Sequence, residues 1–182
     1  MTNELTRRRF VKLVTLAGAS LIAGPAFAGL RIARPRERTL SFYNLHTGES
    51  LRTAYWTADG YDGSALGQIN YILRDFRANE VKAIDVRLLD LLHALRERLN
   101  TNEPFNVISG YRSPATNAML HANSEGVAAH SLHIDGKAID IRVPGRDLSD
   151  LRQVAFSLHG GGVGYYPRSD FVHVDVGRVR FW

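Results

Sequence analysis

Two short segments near the end of the chain alternate in polarity and carry residues that can bind a metal. The segment 138–143 (AIDIRV) alternates apolar residues with Asp140. The segment 171–175 (FVHVD) alternates them with His173 and Asp175. Because successive side chains of a strand point to opposite faces of its sheet, each segment predicts a strand with its polar residues on one face. We therefore expect Asp140 to point off the sheet, and His173 and Asp175 to share one face.

A third residue of the same chemical kind, His133, lies seven residues before Asp140. Gly136 between them suits a tight turn that folds the histidine back over the strand. Catalytic zinc takes three nitrogen or oxygen ligands from the protein and keeps a fourth position for water. His133, Asp140 and His173 can supply this set, and the absence of cysteine excludes a thiolate-rich structural zinc site. Each residue alone would be read as structural, but two strands that both carry ligand-type residues favour one catalytic Zn²⁺ per chain.

The residues around these ligands form a longer pattern, S-x-H-x-x-G-x-A-x-D, at 131–140. Together with His173, this pattern resembles the zinc D-Ala-D-Ala metallopeptidase group, which belongs with the lysostaphin-like enzymes and sonic hedgehog in the LAS fold. Within that group the chain most closely resembles the YcbK/MepK-like murein endopeptidases, and the similarity covers essentially the whole chain. It rests on NLHTGES at 44–50, ISGYRS at 108–113, GGVGYYPRS at 161–169 and FVHVD at 171–175.

The resemblance implies a zinc metallopeptidase that hydrolyses the peptide cross-links of peptidoglycan, so stem peptides are the expected partner. Bonds between two meso-diaminopimelate residues are one expected target. Two alternatives stay open. One is a D,D-carboxypeptidase that trims a terminal D-alanine, and the other is a non-catalytic module that binds cell-wall peptides through the same groove.

Two residues near the ligands are candidates for binding the substrate. Arg112 follows a predicted strand at 105–109, where its guanidinium can hold a carboxylate or a developing oxyanion. A surface salt bridge is the structural alternative, and the resemblance implies the substrate role because the related enzymes use an arginine after this strand. Ser131 can orient the site or bind the substrate, or it can simply stabilise the turn.

The general base is a choice between two aspartates. Asp175 shares a predicted strand face with His173 and would therefore point towards the metal. Asp170 stands three residues before His173, where the D-Ala-D-Ala dipeptidases carry a glutamate in an E-x-x-H arrangement. The H-x-D form is the one that resembles the MepK-like branch. We therefore predict Asp175 as the base first and Asp170 second.

The first 28 residues have the features of an export signal. Three arginines at 7–9 precede an apolar stretch, and the residues A-F-A at 26–28 form a small-x-small cleavage site. The paired arginines indicate a twin-arginine signal, so we expect a periplasmic protein. A membrane anchor is the alternative, but the apolar run is interrupted by Pro25 and is too short to span a bilayer.

Removal of this signal changes the charge of the chain. The full sequence has 23 basic and 18 acidic side chains, a net charge of +5. The signal contains four of the basic and one of the acidic side chains, which leaves 19 and 17, a net charge of +2. With so small a surplus we expect no nucleic-acid partner. The remainder is predicted to be a flexible basic leader at 29–38 and one domain at 39–182, with no membrane span, and we expect a monomer.

The domain itself mixes strand and helix signals. Strands are predicted at 40–45 and 50–56, joined as a hairpin, and at 105–109. A first helix is predicted from Ile69 to Phe76, and a second follows an Asp85 cap and carries a stripe of five leucines. A third is predicted to start at Ser113-Pro114, and a fourth runs from a Ser149 cap to near the glycines at 160–162. These elements predict an α+β fold, a single domain whose central antiparallel sheet bears the zinc site and has helices packed against it.

Overall fold

The computed structural model describes residues 37–123 and 126–182. The predicted signal peptide at 1–28 and most of the leader at 29–38 lie outside the described residues, so signal cleavage and the twin-arginine route stay predictions. The first strand begins at Arg38, one residue before the predicted start of the domain. In the part of the chain that the structure describes, no helix has the length and apolar character needed to cross a membrane.

Eight strands and four helices make up the described residues. The strands are β1 (Arg38–Asn44), β2 (Ser50–Thr57), β3 (Gly60–Tyr61), β4 (Phe105–Ser109), β5 (Ala138–Arg142), β6 (Gly162–Tyr166), β7 (Phe171–Asp175) and β8 (Arg180–Phe181). The helices are α1 (Gly63–Ile72), α2 (Val86–Leu99), α3 (Pro114–Asn123) and α4 (Leu148–Ser157). The predicted hairpin is therefore present as β1 and β2, and the two polar-patterned segments are present as β5 and β7.

The eight strands form one sheet in the order β3-β2-β1-β4-β5-β7-β6-β8. Within the described ranges, five of its seven pairings are antiparallel, and β1 with β4 and β6 with β8 are parallel. The predicted α+β class with a mainly antiparallel sheet is confirmed. The strands β5 and β7 are direct neighbours, which brings the two polar segments together.

Helix α2 supplies a large part of the core. Asp85 caps it as predicted, since its carboxylate accepts a hydrogen bond from the backbone N–H of Arg87 at 3.0 Å. The helix ends at Leu99 and is capped by Asn100, whose left-handed backbone has a φ of 47°. The five predicted leucines are all buried: Leu88, Leu89, Leu92, Leu95 and Leu99. Since burial of one leucine side chain stabilises a fold by roughly 1.5–3 kcal/mol, this helix is a main source of core stability.

The predicted boundaries of α4 are wrong by a few residues. The helix begins after Asp147 rather than after Ser149, because the Asp147 carbonyl already accepts a hydrogen bond from the backbone N–H of Leu151 at 3.0 Å. The helix ends at Ser157, before the glycine run, because the chain turns into a left-handed conformation at His159, where φ is 50°. The glycines therefore do not stop the helix.

The predicted end of α1 is also wrong. The helix stops at Ile72 instead of continuing to Phe76. The chain turns after the helix because Asp75 and Glu80 form an antiparallel bridge, with both backbone N–H groups donating to the carbonyl of the other residue. This bridge leads into a loop that supports the candidate site.

Candidate active site

The first two predicted metal ligands face each other across neighbouring strands. β5 and β7 pair antiparallel, and Asp140 lies directly opposite His173 in their register. Directly opposed residues place their side chains on the same face of a sheet. As a result, Asp140 Oδ1 and His173 Nδ1 are 2.8 Å apart, and both residues are buried. Two residues predicted from separate strands thus share one site.

The third predicted ligand comes from the turn that precedes β5. Gly136 in this turn has a left-handed φ of 67°, and a Cβ at this position would lie 2.5 Å from the carbonyl oxygen of Ala83. Only glycine fits there. The turn brings His133 Nε2 to 3.2 Å from both Asp140 Oδ1 and His173 Nδ1. The structure therefore brings all three predicted ligands together.

The outer ring nitrogens of both histidines are engaged, and these contacts set the tautomers. His133 Nδ1 lies 2.6 Å from the carbonyl oxygen of Gly110, which can only accept, so Nδ1 carries the hydrogen. His173 Nε2 lies 3.1 Å from the Asp175 carboxylate and donates to it. The inner atoms His133 Nε2, His173 Nδ1 and Asp140 Oδ1 then present lone pairs to one another. Such lone pairs repel one another and fit a cation, and two nitrogens with one oxygen are ligands that zinc takes.

Protons compete with a cation for these inner atoms. Burial lowers the pKa of His133, because it disfavours the charged ring. Burial also opposes a charge on His173, but hydrogen bonds to Asp140 and Asp175 outweigh it and raise its pKa. Burial likewise disfavours the charged carboxylate of Asp140, yet the two neighbouring histidines hold its pKa well below the usual range. Asp140 is therefore ionised at neutral pH, and a cation would compete with a proton for His173 Nδ1.

Arg112 lies beside the three ligands and is held from two sides. Its Nη2 donates to Asp140 Oδ2, the carboxylate oxygen that the histidines do not contact. Its Nε donates to Ser109 Oγ at 2.8 Å. The side chain is only 12% exposed and lines the cavity next to the ligands. This position favours the predicted substrate role over a surface salt bridge, because a largely buried guanidinium at a cavity wall can hold an anion strongly.

The backbone around Arg112 is tied to two other loops. Tyr111 N–H donates to the carbonyl of Leu73 at 2.8 Å, and Arg112 N–H donates to the carbonyl of His133 at 3.2 Å. A Cβ at Gly110 would collide with that same Leu73 carbonyl. The loop after α1 therefore sets the position of Arg112, although it contains no ligand itself.

Asp75 is a buried residue beside the site that the sequence analysis did not identify. The residue is 2% exposed, and its carboxylate accepts a hydrogen bond from the backbone N–H of Ser113 at 2.8 Å. It also accepts bonds from the backbone N–H groups of Arg77 and Ala78. Burial opposes its charge, but the hydrogen bonds from Thr116 and Ser113 are among those that outweigh burial and lower its pKa. Asp75 thus positions the Arg112 loop, and no local pattern marks it, because its partners are distant in sequence.

Ser131 lies at the start of the His133 turn. Its hydroxyl oxygen accepts the backbone N–H of His133 at 3.4 Å, and its carbonyl accepts the N–H of Ile134 at 3.0 Å. Ser131 also lines the cavity. The contacts fit the turn-stabilising role, and the position at the cavity wall is compatible with contact to a substrate.

Asp175, the first choice for the general base, lies behind His173 rather than beside the inner ligand atoms. Its Oδ2 contacts the outer nitrogen of His173. It also accepts hydrogen bonds from the backbone N–H groups of Gly162 and Gly177, at 3.0 and 2.8 Å, and from Arg180 at 2.7 Å. Asp175 is fully buried and does not line the cavity. Its contact with His173 agrees with a shared strand face, but the position fits a residue that orients His173, not a general base.

Asp170, the second choice, lies in the turn before β7 with a left-handed φ of 53°. Its side chain is 60% exposed and pairs with Arg142 instead of facing the cavity. Neither predicted acid therefore lines the cavity. Apart from the three ligands, His130 is the only imidazole or carboxylate side chain among the described residues of the cavity wall.

A cavity of about 520 Å³ opens beside the three ligands. One part of its wall contains the residues discussed above. The wall also contains four aromatic or arginine residues that the sequence analysis did not assign to the site: Tyr166, Phe171, Arg180 and Trp182. The Trp182 ring centre is 5.4 Å from that of His173, and Trp182 Nε1 donates to the Tyr166 hydroxyl at 2.7 Å. The concentration of aromatic and arginine residues near the end of the chain was the signal available for them.

These features define the class of the protein. Two histidines and an aspartate converge on one face of a mainly antiparallel sheet, beside an arginine and an open cavity, and together they can hold a metal ion. This is the arrangement expected of the metallopeptidase group that the sequence resembles.

Comparisons with known proteins identify the family. A family model described as peptidoglycan L,D-endopeptidase MepK matches residues 32–182. The chain is 46% identical over 180 residues to the peptidoglycan L,D-endopeptidase MepK of Escherichia coli (strain K12), with 98% of each chain covered. It is 40% identical over 181 residues to a probable peptidoglycan L,D-endopeptidase MepK of Haemophilus influenzae, with 98% of this chain and 96% of the relative covered. The chain belongs to the peptidoglycan L,D-endopeptidase MepK family and is a peptidase, which confirms the predicted resemblance.

Proposed function

We propose that the chain is a zinc-dependent endopeptidase that hydrolyses peptide cross-links of peptidoglycan. The convergence of His133, Asp140 and His173 beside Arg112, in a chain whose relatives are named peptidoglycan L,D-endopeptidases, carries the proposal. Because this polymer lies outside the cytoplasm, the proposal includes a periplasmic location reached through the twin-arginine signal at 1–28. The proposed bond joins two meso-diaminopimelate residues.

The protein's own contribution to the metal site is to hold three ligand atoms in place. His133 would bind through Nε2, Asp140 through Oδ1 and His173 through Nδ1. When bound, zinc supplies Lewis-acid chemistry and lowers the pKa of a water molecule to about 7. The Gly110 carbonyl and the Asp175 carboxylate keep both rings in the required tautomer and orientation.

Arg112 is proposed to bind a carboxylate of the substrate or the oxyanion that develops on the scissile carbonyl. Its contacts with Ser109 and Asp140 use Nε and Nη2, which leaves Nη1 without an acceptor among the described residues. Because the side chain is largely buried, its charge acts in a medium of low polarity and is screened weakly by water. Ser131 adds a hydroxyl group on the same cavity wall.

The proton acceptor is proposed to be His130, with Asp170 as the second candidate. A general base must lie within hydrogen-bond reach of the proton that it removes, directly or through one water molecule. His130 lines the cavity, whereas Asp170 pairs with Arg142 outside it. The sequence pattern ranks Asp175 before Asp170, but Asp175 lies behind His173, and the position in the cavity wall favours His130.

Digestion of purified sacculi tests this function. The zinc-loaded mature protein is incubated with sacculi, with and without a chelator, and the soluble muropeptides are identified by liquid chromatography and mass spectrometry. We expect loss of dimers linked through two diaminopimelate residues, and no loss with chelator or with His133→Ala.

Each rival function has a different readout in the same experiment. Release of D-alanine alone with all dimers intact would indicate a D,D-carboxypeptidase. Binding to sacculi without any released product would indicate a non-catalytic module. Either result would contradict the proposed endopeptidase.

A further inference from the structure

The three ligands lie between two arginines. Arg112 follows β4 and Arg180 begins β8, and in the sheet order the strands that carry Asp140 and His173 lie between them. Arg112 donates to Asp140, and Arg180 donates to Asp175, which in turn holds His173. The two guanidinium groups therefore approach the ligands from opposite sides, and both line the cavity.

Arg180 is held in one orientation. Its Nη2 donates to Asp175 Oδ2 at 2.7 Å, and its Nη1 donates to the Arg178 carbonyl at 3.0 Å. Its guanidinium carbon lies 4.8 Å from the centre of the Trp182 ring. Gly162 leaves the space for this arrangement, since a Cβ there would lie 2.6 Å from Arg180 Nη1. An arginine that is already oriented loses little conformational entropy when it binds a further anion.

Two donors of Arg180 remain available for a ligand. A guanidinium has five N–H groups, and the contacts with Asp175 and Arg178 use both on Nη1 and one on Nη2. The Nε hydrogen and the second Nη2 hydrogen have no acceptor among the described residues. The side chain is 36% exposed at the cavity wall. Parallel donors on a planar guanidinium match the two oxygens of a carboxylate.

The charge of the site also favours anions on both sides of the ligands. Arg112 and Arg180 carry two positive charges, and Asp140 and Asp175 carry two negative charges. These four charges cancel, so a divalent cation held by the ligands would leave the site positive. A substrate with one carboxylate on each side of the scissile bond would fit this distribution.

We propose that Arg180 binds a free carboxylate on the residue that contributes the acyl group of the scissile bond, while Arg112 lies on the other side of the ligands. The inference rests on the proposed function. In a cross-link between two diamino dicarboxylic acids, each residue keeps one free carboxylate. When D-alanine contributes the acyl group, that side of the bond has none. Arg180 is thus a specificity-determining residue for the first kind of cross-link.

A pair of synthetic substrates tests the role of Arg180. One is a cross-linked peptide joined through two diaminopimelate residues, and the other differs only by a carboxamide in place of the free carboxylate on the acyl residue. We expect the wild type to cleave the carboxamide peptide with a kcat/KM about 10- to 100-fold lower than that for the free-carboxylate peptide, as for loss of a charged hydrogen bond. The Arg180→Gln variant should cleave the two peptides at rates equal to each other. Arg178 is an exposed arginine two residues away, and the Arg178→Gln variant should keep the wild-type preference for the free carboxylate.

The ratio of the cleavage rates of the two peptides separates recognition of the carboxylate by Arg180 from its support of Asp175. Because Arg180 also contacts Asp175, Arg180→Gln should slow both substrates, and only the lost preference reports on the carboxylate. The Arg180→Lys variant keeps the charge without the planar guanidinium and should show an intermediate preference. It replaces Arg180→Gln in this measurement if Arg180→Gln does not fold. Calorimetric binding of both peptides to the His133→Ala variant should show the same ratio without turnover.

Several outcomes would overturn the proposal. Equal cleavage of the two peptides by the wild type would do so, as would an unchanged preference in Arg180→Gln. If the zinc-loaded wild type cleaves neither peptide nor sacculi, the proposed function fails. Binding to His133→Ala would still decide whether Arg180 recognises the carboxylate.

Discussion

Asp175→Asn separates an orienting role from a catalytic one. The aspartate presents a charged acceptor to His173 Nε2 at 3.1 Å and to Arg180 at 2.7 Å. Asparagine keeps the shape and one oxygen, which can still accept the N–H groups of Gly162 and Gly177. Its amide nitrogen would then replace Oδ2 and face the donors of both His173 and Arg180, so two charged hydrogen bonds become contacts between donors.

The size of the effect follows from these contacts. Loss of a carboxylate that supports a metal-binding histidine lowers metal affinity by about 10- to 100-fold, and we expect this range for zinc. A donor left unpaired in the interior costs about 1–3 kcal/mol, so the free energy of unfolding should fall by a similar amount. A general base behaves differently, because its loss lowers turnover by about 10²–10⁴-fold and leaves metal affinity unchanged.

The assay pairs a zinc competition experiment with turnover. Zinc affinity is measured against a chromogenic chelator, and kcat is measured on a cross-linked peptide at saturating zinc. Asp175→Asn should bind zinc more weakly and regain most of its turnover when zinc is saturating. Asp170→Asn, which changes an exposed aspartate in the turn before β7, is the control and should keep wild-type zinc affinity. Unchanged affinity with a hundredfold loss of kcat in Asp175→Asn would refute the orienting role.

Three further changes test the supporting loop, the proton acceptor and export. Asp75→Asn should lower the free energy of unfolding by about 1–3 kcal/mol at pH 7. Because the pKa of Asp75 is lowered in the folded protein, its contribution is complete above the unfolded value near 4 and is lost as the pH falls through the folded pKa. In urea unfolding, the free energies of unfolding of variant and wild type should therefore differ less at pH 3 than at pH 7. Equal differences at both pH values would contradict a stabilising role of the ionised Asp75 carboxylate. His130→Gln should lower kcat at saturating zinc by about 10²–10⁴-fold and Asp170→Asn should have little effect, whereas the opposite ranking would make Asp170 the base. Replacement of Arg7 and Arg8 by lysine should keep the precursor in the cytoplasm, as measured by cell fractionation. Normal amounts of this variant in the periplasm would indicate the general secretory route instead.

The ligand set can be predicted from the sequence because it depends on local rules. Alternation along β5 and β7 gives the face of Asp140 and of His173, and Gly136 marks the turn that returns His133. The leucine stripe of α2 depends on helical periodicity in the same way. Each of these signals lies within a few residues of the feature that it predicts.

The remaining parts of the site depend on contacts between distant segments. The strand pattern places Asp175 on the face of His173, but it does not show which nitrogen of the ring the carboxylate meets. Gly162 reads as part of a helix stop, whereas in the structure it leaves room for Asp175 and Arg180. β8 has only two residues and therefore no periodicity, and its parallel pairing with β6 brings Arg180 to the cavity.

Titration of the metal-free protein with Zn²⁺, read as the rate of cross-link cleavage, is the most direct test of a three-ligand zinc peptidase. The rate should rise from near zero and reach its plateau at one zinc per chain, because the described residues offer one cluster of this kind. His133→Ala should stay inactive at the same zinc concentrations. Full cleavage by the metal-free protein, or a wild-type response to zinc in His133→Ala, would contradict the assignment of the site.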